Sequence, residues 1–239
     1  MKRQILLCAV SLLVSLTARA TDLLSNSDVD ARWRTTAISV KDGGASPSVV
    51  TLLKAFHQAL PTWVVGEVLK QNDNPAKGTK RKGSTLTLES DEEDEMTIII
   101  DTGNGYAEYS ALTDVDQMTC CVWRRTNGHR VFAVSLYEQH DPVQHLLCWY
   151  DYDPQTQTMK AEQSPIDKYK KPFNDLEIGW SLPRKGTDFV IHEYYLFPDE
   201  ANVDRVYSWD GMEHHFEKMT IGDFEFQFFG EDQWLKASE

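Results

Sequence analysis

The sequence predicts an α+β fold in which an N-terminal helix packs on a long antiparallel β-meander. Three observations predict it: one amphipathic helical pattern near residue 50, a change to short β-rich runs from Thr85 onward, and tight-turn residues between those runs. The competing prediction is an all-β arrangement resembling part of a propeller, because hairpins of this kind also build blades.

Taken in order, the chain opens on what reads as a cleavable secretory signal. Lys2 and Arg3 form a basic start, Ile5 to Leu16 is an apolar run too short to span a bilayer, and Ala18-Arg19-Ala20 places small residues where a signal peptidase reads. Cys8 lies inside the apolar run behind Leu7, which argues against a lipoprotein signal. The expectation is a signal over 1–20, cleavage after Ala20, and a single α+β domain over 21–239 with a polar loop near 71–84. No later apolar stretch is long enough to cross a membrane as a helix, so the location expected is periplasmic or secreted.

The helix is signalled by Ser46 as a cap, Pro47 at the first helical position, and Val49, Leu53, Phe56 and Leu60 on one apolar face, until Pro61 ends it. Trp63 to Leu69 fits either a second helix or a first strand. Strands follow at Thr85–Glu89, Met96–Asp101 and Tyr106–Leu112. Asn127-Gly128 predicts a hairpin with a type I′ turn between Val122–Arg125 and Arg130–Val134, and Asp210-Gly211 repeats the signal between Val206–Trp209 and His214–Phe216. Asp153-Pro154-Gln155-Thr156 turns the chain between Cys148–Tyr150 and Thr158–Met159. Phe189–Tyr195 and Phe224–Phe229 complete the set.

Charge narrows the partners. The formal charge of -13 becomes about -16 once Lys2, Arg3 and Arg19 leave with the signal, and such a surface repels phosphate backbones and anionic lipid heads. Nucleic acid is not an expected partner. The one basic cluster, Lys77, Lys80, Arg81 and Lys82, is expected to face the acidic run 91–95 across a hairpin.

Three cysteines follow the signal: Cys120, Cys121 and Cys148. Neighbours on a strand point to opposite faces, so at most one intrachain disulfide can form; Cys120–Cys148 is the candidate if their strands pair, and three buried thiols are the alternative. Without histidines at ligand spacing they make no zinc site.

Strand periodicity places Glu213, His215 and Glu217 on one face, where with His192 on a neighbouring strand they form a candidate metal or acid–base group; a solvated polar face is the simpler reading. Asp151-Tyr152-Asp153 starts like a calcium loop and has Glu162 in twelfth place, but Thr156 replaces the turning glycine. Gly-x-Ser-x-Gly, His-Glu-x-x-His and phosphate-loop motifs are absent, and no cofactor is expected. Trp149, Trp180 and Trp209 are candidates for stacking on a ligand ring, set against the tendency of large aromatics to fill a core.

The strings Trp123-Arg124-Arg125-Thr126-Asn127-Gly128-His129, Trp149-Tyr150-Asp151-Tyr152-Asp153-Pro154, Leu182–Asp188 and Trp209-Asp210-Gly211-Met212 resemble those of uncharacterised exported proteins of Bacteroidota. The resemblance covers roughly Thr85 to Phe216. It implies a periplasmic or secreted location and no activity. The reading at this level is a non-enzymatic domain that binds a protein or glycan at the cell envelope; the alternative is a hydrolase acting on an extracellular polymer such as a glycan.

Overall fold

The computed structural model describes residues 23–89, 96–111, 116–138, 144–171, 177–194, 202–221, 224–228 and 234–236. The signal over 1–20 and the acidic run 91–95 lie outside the described residues. Three helices come first. α1 (Asn26–Trp33) begins at a capping box in which Ser25 and Asp28 satisfy each other's free backbone N–H groups. α2 (Val49–Ala59) is capped by Ser48, whose side chain accepts from the Thr51 N–H at 3.1 Å, and not by Ser46. The helix therefore starts two residues beyond Pro47. Pro61 then separates α2 from α3 (Trp63–Asp73), which settles Trp63–Leu69 as helix, with Val64, Val65, Val68 and Leu69 buried.

α3 takes the first part of the polar stretch 71–84, where buried Gln71 accepts from the Ala76 N–H at 2.9 Å. β2 (Lys80–Lys82) lies further along it, and its Lys80 reaches Glu89 at 3.8 Å.

Two antiparallel sheets carry the remainder. The first also contains β1 (Ile38–Ser39), β3 (Thr85–Glu89), β4 (Thr97–Asp101), β5 (Tyr106–Ser110), β6 (Asp116–Arg124), β7 (Arg130–Glu138), β8 (Gln144–Asp153) and β9 (Thr158–Ala161). Its nine strands run in the order β1-β9-β8-β7-β6-β5-β4-β3-β2. A short helix, α4 (Pro165–Lys168), starts at a second capping box, Ser164 with Asp167. The second sheet follows as a six-stranded meander: β10 (Glu177–Ser181), β11 (Phe189–Tyr194), β12 (Val203–Trp209), β13 (His214–Ile221), β14 (Phe224–Phe228) and β15 (Trp234–Lys236).

The fold is therefore α+β, with helices on one face of a large meander, and it is not propeller-like. The single long sheet of the expectation is divided at α4. Fifteen strands in one twisted sheet would have to curl or split, and here they split and stack. One face of the nine-stranded sheet holds Phe132 and Tyr150, which meet Phe56 of α2 edge-on at 6.4 and 6.2 Å. The opposite face holds Trp123 and Trp149, which meet Phe189 and His214 of the second sheet. Burial on both faces explains why β7 is an almost continuous apolar run, buried from Val131 to Leu136.

The hairpin at Asn127-Gly128 forms with different geometry from that expected. Among the described residues only Gly128 of the pair has positive φ (92°), and its N–H donates to the Arg125 carbonyl at 3.1 Å. A single left-handed glycine after the turn supplies the twist that a type I′ turn would have supplied at both positions.

Register also decides the cysteines. Cys120 on β6 faces Val134 on β7, which faces Cys148 on β8. β7 thus lies between the two candidate partners, and two strand spacings of roughly 4.8 Å put them beyond the roughly 7 Å reach of a disulfide. The expected Cys120–Cys148 bridge is absent, and all three thiols are free and buried. Burial pushes the Cys121 thiol up to about 12 and raises the other two as well. Without reductant, the native protein should leave these cysteines unmodified by iodoacetamide, and the unfolded protein should take a carbamidomethyl group on each. A peptide pair linked through Cys120 and Cys148 would contradict the register.

Candidate functional site

A cleft opens where the β6–β7 hairpin, the start of α2 and the second sheet meet. The hairpin turn over 125–129 places Arg124 directly opposite Arg130. Arg130 donates to the carbonyls of Gly128 and His129 at 3.1 and 2.8 Å and reaches the Ser46 hydroxyl at 3.3 Å, so it ties the hairpin to the approach of α2. Arg124 is exposed. Burial, and after it the Arg124 charge, lowers the Arg130 pKa. Like charges facing each other across a strand pair are unfavourable, so this pairing works against folding.

The other walls are the segment Ser46–Val49, the turn Thr102–Gly105, and Gly186, Thr187 and Trp209. The turn is held on β6 by the Val122 N–H donating to the Gly105 carbonyl at 2.9 Å. Gly105 is required there: its φ is 68°, and a Cβ would sit 3.2 Å from that of Val122. The cleft has a volume of about 400 Å³, within the lower part of the range of small-molecule sites. Among the described residues that line it there is no Asp or Glu, although the chain has 37 of them.

The three tryptophans expected to stack on a ligand are used differently. Trp149 is buried between the sheets, stacked on Trp123 at 5.1 Å with Phe189 edge-on at 5.8 Å, so it serves packing. Trp180 lies flat on His145 at 3.6 Å and donates to the Ser135 hydroxyl at 2.9 Å, which also joins the sheets. Both belong to an interface that forms only because the meander splits, which strand periodicity does not show. Trp209 alone of the three lines the cleft, half-buried beside Trp123 and His214.

The acidic and histidine candidates do not form one group. His215 pairs with Asp210 at 2.8 Å and lies 3.9 Å from Glu213, but Glu213 is bound by Lys168 of α4 at 2.7 Å. Glu217 falls in a bulge between the Val206↔Lys218 and Tyr207↔Phe216 pairs, which takes it out of step, and it accepts from the Ser208 hydroxyl. His192 faces Asp204, four residues along β12 from the Ser208 that faces His215, or roughly 13 Å away at strand rise. Among the described residues no three His, Cys, Asp or Glu side chains are placed to hold a metal.

The calcium-like segment is also committed elsewhere. Asp151 accepts from Arg125 at 2.5 Å and pairs with His129 at 2.7 Å; Glu162 binds the same Arg125 at 2.6 Å. Asp153 accepts from the Gln155 N–H at 2.8 Å, which with its other turn contacts holds its carboxyl below the usual range.

No protein-family model matches this sequence, and no curated protein matches it. Among solved structures the chain is similar to a domain of an uncharacterized protein from Porphyromonas gingivalis W83, a member of the Bacteroidota, at 14% identity and a TM-score of 0.44. The match covers 73% of this chain and 98% of that one. Among the described residues no helix is long and apolar enough to cross a membrane.

Proposed function

We propose that this chain is an exported recognition domain that binds the acidic unit of a saccharide in the cleft between its sheets, without chemistry in that cleft. The observation that carries the reading is the Arg124–Arg130 pair, set face to face in a cleft that no Asp or Glu among the described residues lines, on a chain of net charge -13. A carboxylate or sulfate between the two guanidiniums replaces repulsion with charge-assisted hydrogen bonds in fork geometry. Hydroxyl and amide groups of Ser46, Thr102, Asn104 and Thr187 suit sugar hydroxyls, and Trp209 offers an indole for the apolar face of a ring. The acidic surface outside the cleft repels a long polyanion, so the ligand fitted best is a short or terminal acidic unit.

Calorimetric titration with a uronate-terminated oligosaccharide, its neutral reduced counterpart and inorganic sulfate tests this. The acidic oligosaccharide should bind, more weakly as salt rises, and the neutral one should bind at least about tenfold more weakly, the worth of a charge-assisted bond. Equal binding of the two would overturn the reading.

A further inference from the structure

The outer face of the second sheet carries a second arrangement, which shares no residue with the cleft. Ser181 on β10, His192 on β11 and Asp204 on β12 lie on three adjacent strands and on the same face. The Ser181 hydroxyl lies 2.6 Å from His192 Nε2, and His192 Nδ1 lies 2.7 Å from an Asp204 carboxylate oxygen. The carboxylate can only accept, so it holds the proton on Nδ1 and leaves Nε2 free to take the serine proton. Nucleophile, base and orienting acid thus stand in line at hydrogen-bond distance, which is the geometric signature of an activated serine on any fold.

Register produces the alignment. Asp204 is the direct cross-strand partner of His192, and Ser181 stands two residues along β10 from Gly179, the other direct partner. Gly179 leaves room on this face for Tyr194: a Cβ at Gly179 would come within 3.1 Å of the Tyr194 ring. That ring, 43% exposed, lies 6.3 Å from the His192 ring and forms a low apolar wall beside the histidine. Ser181 is itself exposed, so a substrate reaches it without any movement of the sheet.

The geometry points to Ser181 as the nucleophile of an esterase site for short acyl esters carried on a larger molecule. Ser181 Oγ bonds to the ester carbonyl carbon while its proton passes to His192 Nε2. The bond from that carbon to the alcohol oxygen breaks, and the alcohol leaves with the proton from His192. Water then adds to the acyl carbon, its proton passing through His192 back to Ser181 as the carboxylic acid departs. An open face with one low wall suits an acetyl-sized group that projects from a polymer, and gives a longer acyl chain nothing to pack against.

The full chain is incubated with p-nitrophenyl acetate and, separately, with a fluorophosphonate, and adducts are located by intact mass and peptide mapping. One acetyl or phosphonyl group on Ser181 is expected, absent in Ser181→Ala. The labelling rate should fall about 100-fold in His192→Gln, the loss of a general base, and about tenfold in the partly exposed Asp204→Asn. Circular dichroism should be unchanged in all three, because the side chains are on an outer face. No adduct on Ser181 in the unmodified chain, or labelling of His192→Gln at the unmodified rate, would overturn the assignment. Saccharide binding in the cleft is a separate measurement, and the two readings can fail independently.

Discussion

Acidification from pH 7 to about pH 4.5 is expected to remove several kcal/mol of folding stability, through two histidines between the sheets. His214 sits among Trp123, Trp209, Trp149 and Phe189 at 4.9 to 6.1 Å. Its Nε2 donates to the Thr187 carbonyl at 2.9 Å, so an added proton must go to Nδ1, which is buried and has no hydrogen-bond partner among the described residues. His145 lies under Trp180, and its Nε2 accepts from the Ser135 hydroxyl, which itself accepts from the Trp180 indole. Burial lowers each from the ordinary 6.5 to about 4.

The direction follows from linkage. Between about 6.5 and about 4 the unfolded chain binds protons that the folded chain refuses, so stability is full above that window and falls as pH falls through it. Each histidine contributes up to about 1.4 kcal/mol per pH unit, and the pair up to about 2.7, against a total of roughly 5 to 15 for a typical domain. Denaturant unfolding at pH 7, 5.5 and 4.5 measures the slope. His145→Gln and His214→Gln should each reduce it by about one proton, whatever each costs in packing. A flat profile from 6.5 to 4.5 would contradict the burial of both rings.

Replacing Arg205 by Met is expected to destabilise the protein by about 3 to 5 kcal/mol, the usual cost of removing one partner of a buried ion pair. Glu193 is fully buried and binds both Arg205 and the Tyr169 hydroxyl. The Arg205 guanidinium also lies 5.8 Å from the rings of both Tyr169 and Phe216, so it joins the segment after α4 to β11 and β13. Removing it takes the Arg205 charge away from a carboxylate inside the protein. Glu193→Leu combined with Arg205→Met removes both charges and should recover much of the loss. If the double variant is as unstable as the single one, packing of the Arg205 stem dominates and the charge argument fails.

The strands are largely legible in the sequence because their boundaries are chemical. Thr85–Glu89 has polar residues on both sides in the sequence, and Gly128 and Gly211 mark hairpins that only a left-handed residue closes easily. The shortest helices are not legible through periodicity: α1 has eight residues and α4 four, too few to show an apolar face. Their signal is Ser-x-x-Asp at 25–28 and 164–167, a capping pattern that local spacing alone could have found. Stacking of the sheets depends on contacts far apart in the chain, which is why Trp149 and Trp180 read as candidate ligand platforms.

The sites divide the same way. Once the turn at 125–129 is accepted, counting outward places Arg124 against Arg130, so the core of the cleft is within reach of hairpin arithmetic. Ser181, His192 and Asp204 need the register of three strands at once. The absence of acids from the cleft needs the fold, because Asp101 lies in the same turn region yet points to Asn104 and Arg184 instead.

The most direct test of the arginine cleft is Arg124→Gln, measured for unfolding and for binding of the uronate-terminated oligosaccharide in the same buffer. If the pair is held against its own repulsion for an anion, the variant should be as stable as the parent or more stable by up to about 1 kcal/mol, and should bind the oligosaccharide at least about tenfold more weakly. Unchanged affinity, or a loss of stability that matches the loss of binding, would contradict it.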